Sequence, residues 1–279
     1  MVDRCGPSIL RSRRPSAPTV EPNSDATYVE DMDTRVAVLT QTGDYVGPHL
    51  ARRLAGTHHL VLHDPDAGLV DELRSGGVAV EVVPGDEADL RSAEGNGRLV
   101  ERALARFGRI DAAAVVTGTG IITGPFLDIT PKQWERTKAG NLDMAFYGLR
   151  ALIPPMVAQG SGDIVLFTSA TGARPEPRVA TYSATRAGAN ALVRAVGQEY
   201  AGDGLCINAV GTNFMDFPGF LAASGADADP GRRSRIEART PARRLGTMEE
   251  LAEFTAVLLE GRTRFQTGQF FSFSGGWSA

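Results

Sequence analysis

The sequence predicts an α/β fold: a doubly wound parallel sheet of seven strands, with helices on both faces, in a single domain. Three observations carry that prediction. Seven short apolar, β-branched-rich runs recur from Arg35 onward: RVAVLT, HLVLHD, VAVEVV, IDAAAVV, DIVLFTS, LCINAVG and QFFSFS. Helical stretches separate them, so the strands are expected to lie parallel and covered on both sides. Right-handed crossovers then wind the sheet in both directions, in the Rossmann-like manner.

At 279 residues the chain can bury a full core. Its 42% hydrophobic and 22% charged content suits a soluble globule, and a net charge of -4 argues against nucleic-acid or anionic-membrane partners. No apolar run approaches the roughly 20 residues of a membrane span. Residues 1–33 read as an extension, disordered or loosely packed, because the stretch is rich in Pro, Ser, Arg and acidic residues and has no apolar period. Arg11, Arg13 and Arg14 cluster there without the apolar stretch of a secretory signal. The catalytic domain is expected over 34–279. Two helix starts are well signed: Thr130-Pro131-Lys132-Gln133 and Thr247-Met248-Glu249-Glu250 both read as capping boxes, the first with proline at the first helical position. Cys5 and Cys206 suggest no disulfide, which fits a reducing cytoplasm. The histidines form no ligand spacing with a cysteine or carboxylate, so no metal is expected.

The stretch Ser169 to Ala189, SATGARPEPRVATYSATRAGA, concentrates the chemistry. Ser169 closes a strand run, where its hydroxyl is expected at the exposed end. Tyr182 and Arg186 lie four apart, on one helix face, one above the other. YSATRAGANAL resembles the YxxxK helix of the short-chain dehydrogenase/reductases, with Arg186 in the lysine's place.

Other motifs of that family are present but altered. Its TGxxxGIG turn becomes TQTGDYVGP, Thr40 to Pro48, with Gln41 and Tyr45 where the first and second glycines belong and Gly47 retained. Those glycines let backbone amides approach a pyrophosphate, and a tyrosine ring fills space that a nicotinamide ribose needs. Asp64, ending the second strand run, remains able to hold a ribose or to cap the next helix. The NNAG motif aligns with Val115-Val116-Thr117-Gly118. The NAVxPGxxxTP motif becomes NAVGTNFMDFP, Asn208 to Pro218, with Thr212, Asn213 and Phe217 at altered positions. Asn141 matches the family asparagine and reads as a buried structural hydrogen-bonder.

Together these departures resemble the halohydrin dehalogenases, which share the short-chain reductase frame, carry Ser, Tyr and Arg in this order, and use no nicotinamide. The resemblance covers Arg35 to Ala279. It implies cofactor-independent closure of vicinal haloalcohols to epoxides with halide release, and reverse opening of epoxides by azide, cyanide, nitrite or halide. An unperturbed phenol ionises near pH 10, and a guanidinium within about 4–6 Å favours its phenolate. Tyr182 is therefore expected as general base and acid, Arg186 as its tuning partner, and Ser169 as anchor of the substrate oxygen. A halide or other small anion is expected against Tyr45, Thr212, Asn213, Phe214 and Met215, through backbone amides and aromatic walls. The insert 217–241 is expected to act as a substrate lid, with Phe217, Phe220 and Leu221 lining the pocket. The family also implies a homotetramer. Two alternatives stay open: a nicotinamide-dependent short-chain reductase with a degenerate glycine fingerprint, and a non-catalytic scaffold of the same fold.

Overall fold

Successive residues of a strand face opposite sides of its sheet, and β1 (Arg35–Leu39) shows the consequence. Val36 and Val38 enter one apolar layer, Ala37 and Leu39 the other. The computed structural model describes residues 34–118 and 120–278, so the expected extension at 1–33 lies outside the described residues.

After β1 come β2 (His58–His63), β3 (Val80–Val83), β4 (Ala112–Val116), β5 (Gly162–Ser169), β6 (Leu205–Thr212) and β7 (Phe270–Phe273). They form one parallel sheet in the order β3-β2-β1-β4-β5-β6-β7. The helices are α1 (Gly47–Leu54), α2 (Ala67–Ser75), α3 (Ala93–Phe107), α4 (Pro131–Lys138), α5 (Met144–Gln159), α6 (Ala180–Glu199), α7 (Pro218–Ser224), α8 (Pro230–Arg239) and α9 (Met248–Leu259). One layer packs Leu99 of α3, Leu149 and Leu152 of α5 and Val193 of α6 on the sheet; the other packs Leu50 of α1, Leu73 of α2 and Leu251 of α9. The expected seven strands and doubly wound sheet are therefore present.

Both expected capping boxes form. Thr130 accepts from the Gln133 amide while the Gln133 side chain accepts from the Thr130 amide, and Thr247 and Glu250 do the same at α9. The insert 217–241 holds two helices, α7 and α8. Each helix opens on a proline, and Asp229 caps α8 by accepting from Gly231 N.

At the amino edge of the sheet, Arg35 ties four elements together. Its guanidinium donates to Asp163 of β5 at 2.7 Å, to the Leu259 carbonyl of α9 at 2.9 Å and to Nε2 of His58 in β2 at 3.2 Å. At the carboxyl edge the strand order reverses between β1 and β4. That is where an open α/β sheet leaves a crevice for a ligand.

Candidate active site

Ser169 ends β5 at this carboxyl edge and caps a short 3₁₀ turn, Ala170–Gly172. Its Oγ accepts from the Thr171 amide at 3.2 Å, pairs with Thr171 Oγ1 at 3.0 Å and donates to the Thr212 carbonyl at 3.3 Å. The hydroxyl was expected at an exposed strand end; the residue is instead buried, because that turn folds back on α6. Gly172 permits the approach: a Cβ there would stand 2.8 Å from both the Ala187 nitrogen and the Arg186 carbonyl carbon. This contact carries the chain from Ser169 to the first turn of α6, where Tyr182 lies.

Tyr182 and Arg186 sit one above the other as their spacing requires, with the guanidinium carbon 5.0 Å from the tyrosine ring centroid. The donors of Arg186 go elsewhere. Nη1 donates to Thr117 Oγ1 at 2.5 Å and to the Phe167 carbonyl at 3.3 Å, and Nη2 to the Thr117 carbonyl at 2.8 Å. Gly118 completes this cradle: its φ is 129°, and a Cβ on it would stand 2.8 Å from Nη2. Arg186 thus presents charge to the face of the Tyr182 ring while its fork is fixed by β4 and β5. Sequence reasoning missed Thr117. The signal was a hydroxyl and a glycine directly after an all-apolar strand.

Asn141 lies in a π-helical turn, Ala139–Asp143, between α4 and α5. Its Nδ2 donates to the Thr137 carbonyl at 2.7 Å, and its buried Oδ1 has no partner. A π turn of this kind is frequent at functional sites.

The β1–α1 turn is the other half of the site. Gln41 and Tyr45 both take a left-handed backbone, with φ of 49° and 54°, which is the conformation that glycines usually supply. His63 holds the turn. Its Nδ1 accepts from the Gln41 amide at 3.2 Å, and its Nε2 lies 3.0 Å from the Ala88 carbonyl. These partners fix a neutral ring protonated at Nε2, and burial holds the imidazole below its ordinary pKa. Beside this turn a cavity of about 570 Å³ opens over the ends of β2 and β3, lined by Gly43, Asp44, Asp64, Asp66 and Asp89 among others. Arg91 also lines it, but its guanidinium is bound to Asp89 at 2.8 and 3.0 Å.

Tyr45 points away from this cavity. Its ring lies edge-on between Phe167, with centroids 6.0 Å apart, and Phe217, 5.0 Å apart; its hydroxyl meets Thr212 Oγ1 at 2.6 Å. Burial pushes this phenol far above its ordinary value. The remaining residues of the expected anion site diverge. The Asn213 amide donates to the Phe273 carbonyl at 3.3 Å and the Phe214 amide to Asn213 Oδ1 at 3.0 Å, so neither is free to receive a halide. Phe214 packs with Phe220, Leu221 and Trp277 in a separate cluster, while Met215 enters the main core. Tyr45, Thr212 and Phe217 are brought together, with Met215 in the same apolar layer as the two rings; Asn213, Phe214, Phe220 and Leu221 do not join them at the turn.

Residues 46–278 match the protein-family profile described as Enoyl-(Acyl carrier protein) reductase. The chain belongs to the short-chain dehydrogenase/reductase superfamily. The cis-4-hydroxycyclohexanecarboxylate dehydrogenase of Sinomonas cyclohexanicum is 32% identical over 247 residues, which span 88% of this chain and 97% of that one. Among solved structures, an actinorhodin polyketide ketoreductase with NADPH aligns with a TM-score of 0.81 at 25% identity, over 88% of this chain and 98% of its own. A gluconate 5-dehydrogenase of Beutenbergia cavernae, described as putative NAD(P)-dependent and with bound NADP, gives 0.77 at 30% identity, over 87% and 96%.

These findings overturn the expectation of a cofactor-independent halohydrin dehalogenase. The chain's similar short-chain superfamily members are dehydrogenases and reductases, and two similar structures carry NADP or NADPH. The lyase reading, the haloalcohol, epoxide and halide ligands that came with it, and the absence of a nicotinamide cofactor are withdrawn. The physical reason lies in the first turn. Its missing glycines suggested a lost dinucleotide site, yet Gln41 and Tyr45 adopt the left-handed backbone themselves and keep the turn's course.

Proposed function

We propose that the chain is a pyridine-dinucleotide-linked oxidoreductase that interconverts a secondary hydroxyl and a carbonyl on a small molecule. The observation that carries this reading is the placement of Ser169 and Tyr182 at the carboxyl edge of a doubly wound sheet, the same edge at which a cavity opens over β2 and β3. It agrees with the names of the relatives.

The residues fit the dinucleotide unevenly. Its adenosine half suits the cavity over β2 and β3, where Asp64 directly follows β2 at the place for a ribose-binding acid. Its redox half would have to reach Tyr182 past the turn that carries Tyr45, whose ring is packed against Phe167 and Phe217. That half does not fit in this conformation. A pyridine dinucleotide, when bound, supplies or accepts a hydride.

The chain's own residues handle the substrate oxygen. Ser169 Oγ is positioned by Thr171, and its long bond to the Thr212 carbonyl is the one that a substrate oxygen would replace. The Tyr182 hydroxyl takes the proton from an alcohol, or returns it to a forming alkoxide. Arg186, clamped by Thr117 and the Phe167 carbonyl, keeps a fixed positive charge beside that ring. The substrate of the Sinomonas relative is the natural first probe, with other alicyclic alcohols beside it. Dinucleotide-dependent oxidation should fall by about 100-fold or more in Tyr182→Phe while substrate binding persists. Turnover unchanged in that variant would remove Tyr182 from the chemistry.

A further inference from the structure

The cavity over β2 and β3 is bounded on one side by Gln41, Gly43 and Asp44 of the β1–α1 turn. Tyr45 follows Asp44 in that turn and reaches Thr212, which in turn receives Ser169, so its side chain stands between the cavity and the serine. That side chain is held at both ends: its backbone takes a left-handed φ of 54°, and its hydroxyl is bound at 2.6 Å to Thr212 on β6. Phe167 and Phe217 hold the ring from either side. Thr212 also receives Ser169 through its carbonyl, so one residue joins Tyr45 to the catalytic serine. Nothing comparable blocks the adenosine end, where the cavity is open.

We infer that Tyr45 and Thr212 form a gate across the dinucleotide site. Closed, the site takes an adenosine nucleotide at the Asp64 end and excludes the redox ring. Open, with Tyr45 swung away from Thr212, it takes the full dinucleotide, and Ser169 loses none of its contacts to Thr171. The inference rests on the oxidoreductase reading, and it makes Tyr45 a selector between partial and complete occupancy. A closed gate lowers the apparent affinity for the full dinucleotide by the fraction of molecules that are open, and leaves the affinity for the adenosine half unchanged.

The test is calorimetric titration of the whole chain with AMP, ADP-ribose and NAD⁺. The wild-type protein should bind NAD⁺ no tighter than ADP-ribose. Tyr45→Gly removes the ring and suits the left-handed backbone; it should raise NAD⁺ affinity about tenfold while AMP stays within about twofold, the result for a gate closed in about nine molecules of ten. Tyr45→Phe and Thr212→Val keep the ring but cut the hydroxyl bond, and should raise NAD⁺ affinity by a smaller factor. These milder variants report on the gate even if Tyr45→Gly fails to fold. AMP binding with no variant changing the NAD⁺ to AMP ratio would overturn the gate and leave the oxidoreductase reading intact. Wild-type protein binding NAD⁺ far more tightly than ADP-ribose would do the same. Absence of binding by all three nucleotides, in every variant, would overturn both.

Discussion

Asp64 shows how much a single side chain decides. It follows β2 directly with a left-handed φ of 52°, and its carboxyl lies over Gly85, where an added Cβ would come within 2.9 Å of Cγ. Asp44, Asp66 and Asp89 share the same cavity, and its one arginine, Arg91, is engaged by Asp89. A 2′-phosphate brought here meets carboxylates and no free guanidinium, unlike the phosphorylated dinucleotides in the two similar structures. NAD⁺ should therefore be preferred to NADP⁺ by at least about tenfold, because like charges in contact cost several kcal/mol. Asp64→Asn, which tolerates the same backbone, should narrow that preference in a titration of both dinucleotides. An unchanged ratio would place the ribose elsewhere. At this scale the four-residue spacing of Tyr182 and Arg186 foretold their stacking, whereas the burial of Ser169 was not legible, because it depends on the turn that folds back on α6. The sequence misled at Gln41 and Tyr45, where residue identity suggested a broken turn and backbone conformation preserved it.

Among the elements, the amino ends of β1 and β2 carry a pH dependence. His58 is buried, and burial first, then the Arg35 charge, hold its pKa at about 4 against an ordinary 6.5. The ring is neutral in the fold, with Nε2 accepting from Arg35. Above pH 6.5 neither folded nor unfolded chain binds a proton there, so the contribution is complete. As pH falls from 6.5 toward 4 the unfolded chain takes up the proton first, and about 3 kcal/mol of stability is lost. Denaturant midpoints at neutral pH and near pH 4 should show this loss, and His58→Gln, which retains an acceptor for Arg35, should show less of it. Parallel loss in both proteins would assign the acid sensitivity to other groups. The strands and the two capping boxes were legible because period-two burial and Thr-x-x-Gln or Thr-x-x-Glu spacing are local signals. The helices of 217–241 were not, since α7 and α8 are short, Gly- and Ala-containing, and bury little of their surface.

Across the described residues, an alternating strand and helix pattern specified the doubly wound sheet, and the sheet order set where its carboxyl edge reverses. No helix among the described residues is long and apolar enough to cross a membrane. The reaction was harder to read than the fold. Sequence reasoning treated each altered position at Gln41, Tyr45, Val115, Val116 and Phe217 as a lost cofactor contact. Folded, these residues do different things: Gln41 takes the left-handed backbone of the turn, Val115 and Val116 are buried in the sheet, and Tyr45 packs against Phe217. A local motif records identity, whereas the part that each residue plays is set by the backbone and neighbours that the fold gives it. The most direct test of the account follows a hydride. A cyclic secondary alcohol, deuterated at its carbinol carbon, is incubated with the full chain and NAD⁺, and the reduced dinucleotide is analysed by mass spectrometry. The account predicts deuterium in the dinucleotide in step with ketone, and its loss in Tyr182→Phe. Ketone or any other product forming from the alcohol with no deuterium transferred would contradict it.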